Sequence, residues 1–469
     1  MSIPTTADGL ELAAAIRRGD FSTEELLERV NSRIDAVNPA IRAVVARWEA
    51  DRAFDPKGPF AGVPLLLKDL LAEVRGTPLT MGSALLRGHI CSRESAIVGR
   101  LRAAGLRPIG RTSVPEFGFL PVTEPRFHGP CRNPWDLERT PGGSSGGAAA
   151  AVAAGIVPFA HGTDAGGSLR VPAACCGLFA LKPSRGRVVV GTGQEDVLGG
   201  MTSEHVISRS VRDSAAVLAM TSVSPPPRSL LEVVARDPPP LRIGVITGAG
   251  DFGPVRAECV TAVHEVATLC EALGHEVVAV DGAFAQAIDL AAFFAALGDF
   301  VTHAVHRTVE GLAVELGRRV TAEDVEARTW AVAERGARLD ARAMLRAVLL
   351  LEATGQALAG LFDETGAAVL LTPTLSALPP RIGHFDAIAP TDVAALFHAK
   401  ASLVTFPPLF NVGGQPAMSV PLVWSEEGLP IGTQFAAPIG KDELLLALAG
   451  QLERARPWGE RRPPLFVSG

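Results

Sequence analysis

The sequence predicts an α/β fold, a β-sheet covered by helices on both faces. Short apolar runs alternate with helical runs between residues 59 and 190. The same alternation returns after residue 241. An apolar share of 47% against 20% charged residues supplies a sizeable core and leaves little case for disorder.

In chain order, the N-terminal stretch reads as helical. Ser22 followed by Glu25 fits a capping box, and Leu26, Leu27, Val30 and Ile34 fall at helical spacing. Residues 41–47 (IRAVVAR) suit a strand, as do 63–67 (VPLLL), 106–110 (LRPIG), 155–160 (GIVPFA) and 178–182 (LFALK), with helical runs at 94–104 and 144–154. The proline-rich stretch 222–240 reads as an external linker. A strand at 241–247, a helix at 255–273 and a strand at 275–280 follow. Residues 283–363 form an alanine-rich helical excursion. A strand at 367–374 returns to the sheet and 441–454 closes the chain as a helix. With no convincing internal repeat, residues 1–469 read as one domain: a core at about 59–220, the linker, the excursion, and a C-terminal return over 367–469.

Composition excludes several classes. The net charge is −6 and no basic block occurs, so nucleic acid is not an expected partner. No signal-peptide pattern and no 18-residue apolar span free of charge is found, so a cytoplasmic protein without membrane attachment is expected. The six cysteines form no CxxC pair and read as free buried thiols; no HExxH or Cys/His cluster has metal-ligand spacing, and neither metal nor cofactor is expected. Only five of the 44 basic residues are lysines, namely Lys57, Lys68, Lys182, Lys400 and Lys441. Arginine does not lose its proton near neutral pH and lysine can, which singles out each of them.

Three islands carry chemistry. In PFAGVPLLLKDLL (59–71), Lys68 follows three leucines. It either snorkels outward or pairs with an acid such as Asp69, or it is buried and its pKa falls from about 10.4 toward about 7. In TPGGSSGGAAAAVAAG (140–155), a glycine–serine loop precedes an alanine-rich helix. It satisfies G-x-S-x-G on Ser144 or Ser145, but the polar residues 136–141 before it do not suit the strand that a nucleophile elbow requires. In AHGTDAGGSLRVPAACCG (160–177), Ala165, Gly166 and Gly167 precede Ser168 at a turn whose successive amides can form an oxyanion nest. Asp164 and Arg170 flank that turn and can pair to hold it, or form a plain ion pair at a helix start.

These islands, in this order, resemble the amidase signature family: Lys68 in GVPLLLKD, the loop GGSSGG at 142–147, and GTDAGGSLRVPA at 162–173, with Ser144 and Ser168 24 residues apart. The likeness continues in 177–188, 410–422, 428–435 and 441–453 and is weakest between about 222 and 365. It implies the amidase signature fold, a large twisted mixed sheet covered by helices on both faces. It further implies Ser168 as nucleophile, Ser144 on a cis peptide as proton relay, and Lys68 as neutral base. The oxyanion would rest on the amides of Ala165, Gly166, Gly167 and Ser168, with Gly143, Ser145, Asp164 and Arg170 in support. Where the family usually carries a branched residue before the two glycines, this chain has Ala165.

Within the family, residues 122–147 and the C-terminal run look similar to the hydrolases of the 6-aminohexanoate cyclic dimer. The resemblance implies an amidase for a small, fairly apolar amide, anilide or lactam, with carbamates, including urethanes, and esters within reach of the same acyl chemistry. The expected partner is that small molecule, and the expected state a monomer or homodimer. Phe119, Pro121, Val122 and Phe127 are candidate cleft-wall residues, with ordinary core packing as the other reading of each. Three rival readings are the amidase subunit of a glutamine-dependent tRNA amidotransferase, a non-catalytic binding protein on the same scaffold, and an ordinary α/β-hydrolase with Ser144 or Ser145 as nucleophile and a later histidine, which leaves Lys68 and Ser168 without a role.

Overall fold

The computed structural model describes residues 5–50, 54–191 and 198–467. Among them run the strands β1 (Val44–Arg47), β2 (Pro64–Lys68), β3 (Arg107–Thr112), β4 (Phe159–Asp164), β5 (Phe179–Lys182), β6 (Ser203–Ser208), β7 (Arg242–Val245), β8 (Glu276–Ala279), β9 (Val369–Pro373), β10 (Ala417–Trp424) and β11 (Pro430–Ala436). Eight form one mixed sheet in the order β4-β6-β5-β10-β11-β9-β7-β8. Neighbours from β4 through β9 are antiparallel, while β9, β7 and β8 run parallel. The remaining strands form a small sheet, β1-β3-β2. Its β2 edge stands beside the β4 edge of the large sheet, where Lys68 reaches Thr163. Helices cover the sheets, as the α/β pattern predicts.

Strands buried on both faces read as continuous apolar runs, and β2 and β9 are buried at every residue. The helix Gly146–Ala153 is likewise buried throughout, which explains its alanines. A Cβ on Gly147 would stand 2.3 Å from the Ser113 backbone nitrogen, so glycine there permits the helix to touch the backbone just past the end of β3.

Three segments differ from the sequence reading. Gly155, at φ +82, ends the helix before it, and the strand predicted from 155 begins only at Phe159. β6 (SEHVIS) is polar in sequence yet fully buried, because His161 on β4 and Ser214 answer its Glu204 and His205. The stretch 222–240 is not wholly external: it contains a helix, Leu230–Ala235, with Leu230, Val233 and Val234 buried. Arg454 of the closing helix Asp442–Ala455 donates to the Val234 carbonyl at 2.6 Å.

The excursion consists of the helices Asp281–Ala287, Leu290–Glu315, Ala327–Ala337 and Ala341–Thr365. Ala341–Thr365 is long and apolar enough by composition to cross a membrane; its Leu351, Leu358, Leu361 and Phe362 are buried in the protein.

Candidate active site

Lys68 ends β2 and is wholly buried. Strand alternation turns its side chain away from that of Asp69, which faces Arg111 at 3.8 Å and accepts from the Thr80 amide. The Lys68 Nζ instead lies 2.8 Å from Ser144 Oγ and 2.7 Å from Thr163 Oγ1. Among the described residues no carboxylate stands within 4 Å of it. Burial lowers its pKa to about 7, against the weaker opposing pull of Asp164 and Glu204. Beneath it, the His161 Nδ1 accepts from the Lys68 amide at 3.4 Å, leaving Nε2 to donate to Glu204 at 2.9 Å.

The peptide between Gly143 and Ser144 is cis. No strand precedes this loop, so the nucleophile-elbow geometry is absent here. Ser145 points elsewhere: its hydroxyl exchanges hydrogen bonds with the Thr163 backbone at 3.2 and 3.3 Å, and its amide donates to the Ser168 carbonyl. Ser145 thereby ties the Ser144 loop to the Ser168 loop.

The turn after β4 is built around one carboxylate. Asp164 meets Arg170 through two hydrogen bonds, at 2.9 and 3.0 Å, both side chains fully buried. Burial works against the Asp164 charge, but Arg170 and Asn411 hold its pKa well below the usual carboxylate range. Asp164 also accepts from the Gly167 amide at 2.7 Å and the Leu169 amide at 3.1 Å. That corrects one expectation. The Gly167 amide is occupied by Asp164 and is not a free oxyanion donor. The amides of Ala165, Gly166 and Ser168 donate to no group among the described residues, and these residues line the cavity that opens here.

The cavity holds about 200 Å³. Gly143, Ala165, Gly166 and Ser168 line it, and Phe117, Phe119, Met201 and Val404 add apolar wall. The helix Leu290–Glu315 contributes Phe294, Leu297, Gly298, Val301, Ala304, Val305 and Thr308, so the helical excursion shapes the pocket. Lys400 is also in the wall.

The sequence pattern of the family described as Amidase matches residues 22–446. The chain belongs to the amidase family. It is 37% identical to the 6-aminohexanoate-cyclic-dimer hydrolase of Paenarthrobacter ureafaciens, across 98% of this chain and 97% of the relative. Its structure is similar to that of a 6-aminohexanoate cyclic dimer hydrolase complexed with substrate, at TM-score 0.91 and 35% identity, covering 99% of this chain and 100% of that one. It is also similar to a bacterial aryl acylamidase of the amidase signature family, at TM-score 0.84 and 26% identity, with 97% of each chain covered. The fold is the amidase signature fold, and the protein is an amide-hydrolysing enzyme.

In this amidase, Phe119 and Pro121 line the cavity, but two of the four wall candidates do not. Val122 is 1% exposed and packs in the core. Phe127 lies against His128 at 4.4 Å, with the Arg87 guanidinium over its ring at 4.8 Å.

Sequence reasoning missed Thr163 beside Lys68, and Asn411 and Gln434 around Arg170. All three sit in segments that carry the family likeness, which was the available signal. The amidase wall from Leu290–Glu315 had no such signal, since the likeness is weakest there.

Proposed function

We propose that this amidase cleaves the C–N bond of a small, fairly apolar amide, such as an anilide, alkyl amide or lactam, through Ser168, Ser144 and Lys68. The observation that carries the reading is the Lys68 Nζ, buried without a carboxylate partner and 2.8 Å from Ser144 Oγ. An amine whose pKa burial has lowered to about 7 is substantially neutral at neutral pH and has a lone pair for a proton. A serine hydroxyl is a weak nucleophile until a base takes its proton.

Ser168 Oγ attacks the substrate carbonyl while its proton passes to Ser144 Oγ and the Ser144 proton passes to Lys68. Negative charge collects on the former carbonyl oxygen, where the unoccupied amides of Ala165, Gly166 and Ser168 are available as donors. Collapse breaks the C–N bond. Lys68 returns its proton through Ser144 to the departing nitrogen, leaving an acyl ester on Ser168. Water, deprotonated along the same path, releases the acid and regenerates the serine.

The apolar wall supports a hydrocarbon-rich substrate, as do the cyclic-dimer hydrolase and the aryl acylamidase among the similar proteins. Carbamates, including urethanes, and esters present the same carbonyl to the same donors.

The test is hydrolysis of anilides, lactams, carbamates, esters and glutamine by the wild type and by Ser168→Ala, Ser144→Ala and Lys68→Ala. Each variant is expected to lose roughly a thousandfold or more in kcat. A serine-directed probe should label Ser168. Near-normal rates in Ser168→Ala or Lys68→Ala overturn the reading.

A further inference from the structure

We propose that Lys400 determines substrate specificity by gripping a carbonyl-type oxygen that the substrate carries away from its scissile bond. The proposal rests on the reading of Ser168, Ser144 and Lys68 given above.

Lys400 lies in the last turn of the helix Val393–Leu403 and lines the same cavity as Ser168. Its Nζ donates to the Phe119 carbonyl at 2.9 Å. It also stands 3.7 Å from the centre of the Phe119 ring and 4.8 Å from that of Phe397. The two rings meet edge to face at 5.8 Å. The nitrogen is therefore held in an aromatic cage, which favours a cation electrostatically and fixes its position.

Among the described residues no carboxylate lies within 4 Å of this nitrogen, unlike the arginines at the Asp164 and Asp69 sites. One N–H is satisfied by Phe119. The ring faces are weak acceptors for the others, and the cavity they share is lined mainly by apolar side chains, among them Leu297, Val301, Ala401 and Val404. Lys400 is only partly buried beside this cavity, so an acceptor that enters with the substrate can replace water at its remaining N–H groups. A second amide carbonyl or a terminal carboxylate has that chemistry. Burial lowers the Lys400 pKa to about 7, so both an amine and an ammonium are populated near neutral pH. Either form donates to a carbonyl; only the ammonium gains the charge of a carboxylate.

A purely structural alternative has Lys400 do no more than tie the helix Val393–Leu403 to the Phe119 loop. It predicts that removing the amine affects every substrate alike. Three anilides with acyl chains of equal length separate the readings: one plain alkyl, one with an internal amide carbonyl, one ending in a carboxylate. The Lys400→Met variant should lower the ratio of kcat/KM for an oxygen-bearing chain over the plain chain by about tenfold or more, through KM. A drop for both oxygen-bearing chains identifies the shared carbonyl group as the ligand, and a drop for the carboxylate alone identifies an anionic one. Unchanged ratios overturn the proposal.

Binding gives a second reading that needs no turnover. Calorimetry on Ser168→Ala should show an oxygen-bearing amide binding about tenfold more tightly than the plain one, and Lys400→Met added to it should abolish the preference. Equal binding in Ser168→Ala overturns the proposal. Failure of the underlying reading looks different: the wild type then hydrolyses none of the three anilides and Ser168 takes no probe.

Discussion

The Lys68 Nζ stands 2.7 Å from the Thr163 hydroxyl oxygen, so two hydroxyls share one amine. A neutral amine has a single lone pair. If it donates to Thr163, that lone pair is free to face Ser144, and Thr163 acts as a positioning residue. Thr163→Val removes the acceptor and keeps the shape. We expect kcat to fall about tenfold with KM little changed, and Thr163→Ser to restore most of the loss. Steady-state kinetics on an anilide checks this; an equal loss in the serine variant would count against the positioning role.

Activity should depend on pH in one direction. Lys68 accepts a proton only when neutral, and burial lowers its pKa to about 7. Below that value the ammonium dominates and kcat/KM should fall about tenfold per pH unit. Above it the rate should level off. A plain alkyl anilide is the right reporter, because Lys400 titrates in the same range. A flat profile from pH 5 to 9 would contradict the base role of Lys68.

Asp164→Asn should destabilise the protein as well as slow it. The change leaves the fully buried Arg170 guanidinium without a counter-charge, a loss of about 3–5 kcal/mol for a pair broken at one partner. Denaturant unfolding of the variant beside the wild type measures it. A difference under about 1 kcal/mol would mean that Gln434 and Asn411 alone are sufficient to hold Arg170.

Gly298→Leu tests the excursion as a pocket wall. A Cβ there meets only the Phe397 ring, at 3.6 Å, an ordinary contact, and the longer side chain has the cavity to fill. Helix propensity favours leucine over glycine by about 0.8 kcal/mol, so folding should not suffer. The expected outcome is a KM increase of about tenfold for bulky anilides and a much smaller one for short acyl groups. Equal kinetics across acyl sizes would remove this helix from the substrate path.

Much of the architecture was legible because burial on both faces writes continuous apolar runs, as in β2 and β9. Lys68 was conspicuous for the same reason, a lysine closing a run of leucines. What could not be read is what depends on partners far along the chain. Lys400 meets Phe119 across 281 residues, and Arg170 meets Gln434 across 264. Nor does a glycine reveal where its amide points: Gly167 fits the oxyanion turn by composition, yet its N–H is taken by Asp164. Val122 and Phe127 failed as wall residues because, along an irregular loop, no fixed period tells which way a side chain faces: one meets the core and the other Arg87.

The Asp164–Arg170 pair is clasped by Asn411 and Gln434, residues that leave the ribosome long after Ser168. A nascent chain halted before residue 411 already contains Lys68, Ser144 and Ser168, yet it lacks the two side chains that pin the arginine behind the Ser168 turn. The turn that carries Ser168 can therefore reach its final packing only after residue 434 has been made, so this part of the fold waits on distant chain.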